Sequence, residues 1–105
     1  MPVAIVAGTA IYHLPSIAMD ETILQTAYGE ATVLHGKGEN QDLVFLPRHG
    51  PRHTTLPHKI NYRANIQALV DLGVKYVLAA YAVGSINRLI PPLGLVAIDD
   101  LMHGV

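Results

Sequence analysis

The sequence predicts an α/β fold built on a mixed, largely parallel sheet, and three stretches carry that prediction. Val3–Ala7 (VAIVA) is a continuous apolar run, rich in β-branched residues and closed by Gly8. This is the pattern of a strand covered on both faces. Leu43–Leu46 (LVFL) and Val74–Ala80 (VKYVLAA) have the same character. Between them, Ile60–Leu72 repeats its apolar residues at helical spacing, so 43–80 reads strand–helix–strand. A crossover of that kind is the usual route to a parallel pair of strands.

The elements follow in order. Residues 11–30 are mixed and punctuated by Pro15, Asp20 and Gly29, and no element is predicted there. Ala31–Leu34 and Leu43–Leu46 read as strands, and the turn-rich GKGEN at 36–40 joins them as a hairpin. A loop spans 47–57, bounded by Pro47 and Pro57. In the helix, Tyr62, Ile66, Leu69 and Val70 share the predicted apolar face, and Gly73 stands where a left-handed cap is expected. Val74–Ala80 is predicted as a further buried strand. Pro91 and Pro92 then break the chain, and Leu95–Ile98 (LVAI) is predicted as the last strand. No repeat, low-complexity tract or linker divides the sequence, so residues 1–105 read as one domain.

Composition narrows the function classes. Of 105 residues, 50% are hydrophobic and 14% charged, with a formal net charge of −1. That charged fraction is below the roughly 25% typical of soluble domains. So apolar a chain either has a generous core or hides surface against a partner. Cysteine is absent, which removes disulfides and thiolate sites and is compatible with the cytoplasm. Pro2–Ala7 is too short for a secretory signal and has no basic residue before it. No apolar run approaches the roughly 18 residues that span a bilayer, and near-zero charge opposes broad nucleic-acid binding. The expectation is a cytoplasmic protein with neither membrane nor nucleic acid as partner.

Ligands of open α/β sheets bind beyond the carboxyl ends of the strands. Three predicted strands end in polar or glycine-containing loops: Gly8-Thr9, Arg48-His49 and Ala82–Ser85. The second opens the most charged stretch of the chain, LPRHGPRHTTLPHKINYRAN at 46–65. It gathers Arg48, Arg52, Lys59 and Arg63 with His49, His53 and His58, and no carboxylate lies between Asp42 and Asp71. Such a segment suits a small anion. A guanidinium offers a planar fork to two phosphate oxygens and keeps its charge at every relevant pH. His49 adds a further donor or proton buffer, and Gly50 leaves room for the ion. Arg52 and Lys59 read as solvated loop charges. Gly8 lacks the rest of a G-x-G-x-x-G fingerprint, which disfavours a dinucleotide site.

The three histidines invite a metal, but Pro51 and Pro57 oppose the helix their spacing would need. No nearby carboxylate would orient them either, so no metal is expected. Asp99-Asp100 reads as a solvated strand end. Asn61, Tyr62 and Asn65 read as capping or packing residues at the helix start.

VAGTA (6–10), LPRHG…H…LPHKINYRAN (46–65) and AVGSI (82–86) together resemble the amino-terminal part of the purine nucleoside phosphorylases, in the 5′-methylthioadenosine and methylthioinosine phosphorylase branch. The resemblance runs along nearly the whole chain and is strongest over 46–65. It implies a mixed α/β sheet of the nucleoside phosphorylase type, incomplete in this chain, and homo-oligomers, trimeric or hexameric. It also implies a pentosyltransferase of purine salvage that uses inorganic phosphate to release a free purine and ribose 1-phosphate, without metal or organic cofactor. Thr9, Arg48, His49, Tyr81 and Ala82 would be the phosphate-binding residues, and His53 would line the substrate pocket.

Such chemistry passes through an oxocarbenium-like sugar, so His49 is expected to orient phosphate, and no residue is assigned as acid or base. Two positions depart from the branch. Tyr81 stands where a small hydroxyl residue is common, and Pro51 replaces a more flexible one. Family chains are also considerably longer, and their base-reading acidic group and a further phosphate-binding threonine lie beyond Val105. The alternative expectation is therefore a truncated, non-catalytic phosphate-binding or oligomerising α/β module.

Overall fold

The computed structural model describes residues 2–8, 16–50, 52, 54–92, 94–100 and 102. In chain order its elements are β1 (Val3–Ala7), β2 (Met19–Thr26), β3 (Gly29–Gly36), β4 (Leu43–Pro47), α1 (Tyr62–Asp71) and β5 (Tyr76–Ala80), with short 3₁₀ turns at Gly38–Asn40 and Pro57–Lys59. The strands lie in the order β2-β3-β4-β1-β5. The sheet is mixed, as the sequence predicts. β4, β1 and β5 run parallel, while β3 runs antiparallel to both β2 and β4.

β3 and β4 form the expected hairpin, with Leu34 opposite Phe45 and His35 opposite Val44. β2 has no counterpart in the sequence reading. Its residues MDETILQT are mostly polar because it is the outer strand, held by an eight-residue ladder to β3.

Ala4, Val33, Val44, Leu46 and Leu69 form the main core, and Ala31, Ala64 and Ala68 a smaller one beside it. Both lie between α1 and one face of the sheet. The inward face of α1 differs from the predicted one. Ala64, Ala68 and Leu69 are buried, while Tyr62, Ile66 and Val70 are each more than half exposed. At about 100° per residue, Ile66 stands roughly 200° from Ala64. The small alanines let the helix lie close on β2 and β3, and that rotation turns the larger apolar stripe outward.

The helix ends are well defined. Asn61 Oδ1 accepts from the Ala64 N–H at 3.1 Å, and its Nδ2 donates to Tyr28 O at 2.8 Å. One side chain thus caps the helix and ties it to the β2–β3 turn. At the other end Gly73 has φ +73°, its N–H reaches Val70 O at 3.0 Å, and Val74 N–H reaches Leu69 O at 3.1 Å. These bonds make a Schellman cap, with Val74 packed against the core that holds Leu69.

Two strand expectations need correction. β5 is not buried, because it is the sheet's edge and α1 packs over β2 and β3. Its Tyr76, Val77 and Leu78 are all more than half exposed. Leu95–Ile98 forms no strand: it carries no ladder, and Leu95, Val96 and Ile98 are exposed. The turn-rich 85–94 stretch, with reverse hydrogen bonds at Asn87–Ile90 and Pro91–Gly94, does not bring it alongside the sheet. Among the described residues no helix is long and apolar enough to cross a membrane.

Candidate functional site

The parallel half of the sheet ends flush. Ala7 of β1 stands opposite both Pro47 of β4 and Ala80 of β5. The residues that follow, Gly8, Arg48 and Tyr81, therefore emerge side by side. Arg48 N–H extends the ladder by one bond to Ala7 O at 2.8 Å.

From there the Arg48 side chain crosses the tip of β1 towards β5. It lies so close over Gly8 that a Cβ there would meet Nη2 and stand 2.7 Å from Cζ. A side chain at position 8 would push the guanidinium away from the tip of β1. On the far side, Cζ of Arg48 is 4.5 Å from the centroid of the Tyr81 ring, within the range of a cation–π contact. One guanidinium thus spans all three strand tips. Its Nε is buried and has no hydrogen-bond partner among the described residues. A buried N–H left unpaired costs about 1–3 kcal/mol, and an oxyanion is the natural acceptor for it.

His49 turns inward and is only 8% exposed. Its Nδ1 lies 3.0 Å from Thr55 O, and Thr55 N–H donates back to His49 O at 2.9 Å. A carbonyl only accepts, so the neutral ring carries its proton on Nδ1 and Nε2 is the acceptor. Gly50 closes the tight turn with φ +82° and a 3.0 Å bond to Pro47 O. These two bonds tie His49 and Thr55 to each other.

An open cleft of about 200 Å³ is lined by Arg48 together with Glu30, Thr32, Thr55, Lys59, Asn61 and Asn65. Thr32 and Thr55 were not singled out by sequence reasoning. A lone threonine on a strand or in a loop carries no local mark of what it will face.

The other predicted residues fall out as follows. Ala82 follows Tyr81 in an exposed segment. Thr9 and His53 lie outside the described residues. Arg52 pairs with Glu21 at 3.6 Å on a well-exposed surface, in keeping with a solvated loop charge. Among the described residues no three His, Cys, Asp or Glu side chains gather as a metal-holding group.

No protein-family model matches the chain. Among curated relatives, it is 42% identical over 100 residues to the 6-oxopurine nucleoside phosphorylase of Pyrococcus furiosus, covering 95% of this chain and 38% of that one. It is 41% identical over 104 residues to the S-methyl-5′-thioadenosine phosphorylase of Hyperthermus butylicus, with the same 95% and 38% coverage. The chain belongs to the purine nucleoside phosphorylase family.

Solved structures agree with the branch that the sequence resembles. An adenosine/methylthioadenosine phosphorylase double mutant from Schistosoma mansoni, in complex with adenine, superposes with a TM-score of 0.73 at 34% identity. The match covers 87% of this chain and 31% of that one. The methylthioadenosine phosphorylase from the same organism in complex with tubercidin gives 0.65 at 34% identity, over 74% and 28%. The chain thus spans well under half the length of the phosphorylases it matches.

Proposed function

We propose that this chain supplies the phosphate-binding half of a purine nucleoside phosphorylase active site. The reaction is cleavage of the N-glycosidic bond of a 5′-methylthioadenosine-like nucleoside by inorganic phosphate. The observation that carries the reading is the Arg48 guanidinium, laid across Gly8 at the tips of three parallel strands, with a buried Nε that has no hydrogen-bond partner among the described residues.

The chemistry follows from that placement. As the bond between the anomeric carbon and the purine nitrogen lengthens, its electron pair passes to the base and the sugar becomes oxocarbenium-like. Phosphate held beneath the ribose stabilises that charge, and one of its oxygens then bonds to the anomeric carbon. The proton of the phosphate monoanion or dianion ends on the departing purine through solvent. The protein's task on this side is to hold and desolvate the anion. Arg48 grips two oxygens, and Thr9 and the Ala82 segment complete the cradle. His49, tied to Thr55 through Nδ1, orients phosphate. His53 borders the nucleoside. The reading needs no metal or organic cofactor, and it places the enzyme in the cytoplasm as a homo-oligomer acting in purine salvage.

A second reading has its own support. Apolar side chains on the outward stripe of α1 and along β5 are exposed. They fit a non-catalytic module that retains the anion site and associates through those surfaces. Calorimetry with inorganic phosphate, paired with phosphorolysis assays on methylthioadenosine, methylthioinosine, inosine and adenosine, separates the two readings. Binding with turnover supports the enzyme, and binding without turnover supports the module. Arg48→Ala is expected to abolish phosphate binding in either case, and unchanged affinity would remove the site assignment.

A further inference from the structure

We infer that Tyr81 is a positioning residue that acts through Arg48. Its ring clamps one face of the guanidinium and fixes the plane in which the fork meets an anion. The inference rests on the anion-site reading above and assigns Tyr81 a role other than direct contact with phosphate.

Three features of the site carry it. The guanidinium is held on two sides, by the bare Cα of Gly8 and by the Tyr81 ring with its centroid 4.5 Å from Cζ. Cζ of Arg48 lies over the Tyr81 ring, and a guanidinium stacked on an aromatic ring keeps its N–H edge for hydrogen bonds to an oxyanion. The two are therefore compatible, and a ring on the face leaves the N–H edge available for a bidentate anion. Finally, Tyr81 is 57% exposed at the sheet edge, so core packing does not account for an aromatic residue there. Among the described residues its side chain makes no hydrogen bond, and Arg48 is the charged group it meets.

The consequence is pre-organisation. An arginine side chain loses rotamer freedom when it grips an anion, and part of that loss is already incurred when the ring holds it in place. Removing the ring should weaken phosphate binding, and removing only the hydroxyl should not.

The experiment uses the 105-residue chain with inorganic phosphate as titrant, comparing the wild type with Tyr81→Phe and Tyr81→Leu. The expected result is a Kd within about twofold of wild type for the phenylalanine variant and about three- to tenfold weaker for the leucine variant. In parallel, the Arg48 side-chain Nε–H resonance, assigned by its loss in Arg48→Ala, should show an upfield ring-current shift. That shift should be present in the wild type and in Tyr81→Phe, and absent in Tyr81→Leu. A leucine variant that binds like wild type would overturn the clamp. Equal losses in both variants would also overturn it, because the hydroxyl would then be the contact. Were Arg48→Ala to bind phosphate normally, the anion site itself would fail, and the ring-current shift would still report whether the two side chains stack.

Discussion

At Gly8 the absence of a single carbon decides the site. The Arg48 guanidinium occupies the space a Cβ would take. Gly8→Ala is expected to push the guanidinium off the strand tip and weaken phosphate binding by about tenfold or more, the loss of one charge-assisted hydrogen bond. Calorimetry reads this directly, and circular dichroism should show the sheet intact. Arg48→Lys tests the fork: an ammonium keeps the charge but loses bidentate geometry and the flat face against Tyr81. Its phosphate affinity should fall between those of the wild type and Arg48→Ala. Sequence reasoning reaches Arg48 and His49 because a basic pair directly after a core strand is a local signal. It does not reach the Tyr81 contact or the Thr55 tie to His49, since each joins residues that only the folded chain brings together.

The helix is the element whose existence was most legible and whose orientation was least so. Its cap residues were visible as Asn61 and Gly73, and both act as caps. Asn61 also bonds Tyr28 O, 33 positions earlier, a link that sequence spacing does not display. Asn61→Ala should therefore cost about 1–2 kcal/mol, the upper part of the range for a cap, measured by urea unfolding. Apart from Leu69, the apolar pattern points to the wrong face because the large residues Tyr62, Ile66 and Val70 outweigh two alanines in it. Packing favours the alanines because they allow close approach to β2 and β3. Ala68→Leu should accordingly destabilise by about 1–3 kcal/mol through overpacking, an effect absent from the exposed substitution Ile66→Leu. β2 escaped notice for the converse reason: a polar outer strand is specified by its ladder to β3 rather than by its own composition.

For the whole molecule, the sheet is covered by α1 on the β2–β3 side and left open at the β5 edge. An edge strand with Tyr76, Val77 and Leu78 exposed, and a helix whose apolar stripe faces outward, are surfaces prone to association. Sedimentation is expected to show concentration-dependent self-association of the chain, and the double substitution Ile66→Lys with Val70→Lys should shift it towards monomer. Phosphate affinity should be unaffected, because that stripe is remote from the strand tips in sequence and turned away from the sheet. The α/β class, the β3–β4 hairpin and the strand–helix–strand crossover were legible in the sequence, since each is written in contiguous residues through hydrophobic period, turn composition or a cap. That Gly8, Arg48 and Tyr81 form one site was not. Their meeting depends on the parallel register of β4, β1 and β5, and such pairing joins residues far apart in the chain, fixed only when the crossover helix packs and the strands align.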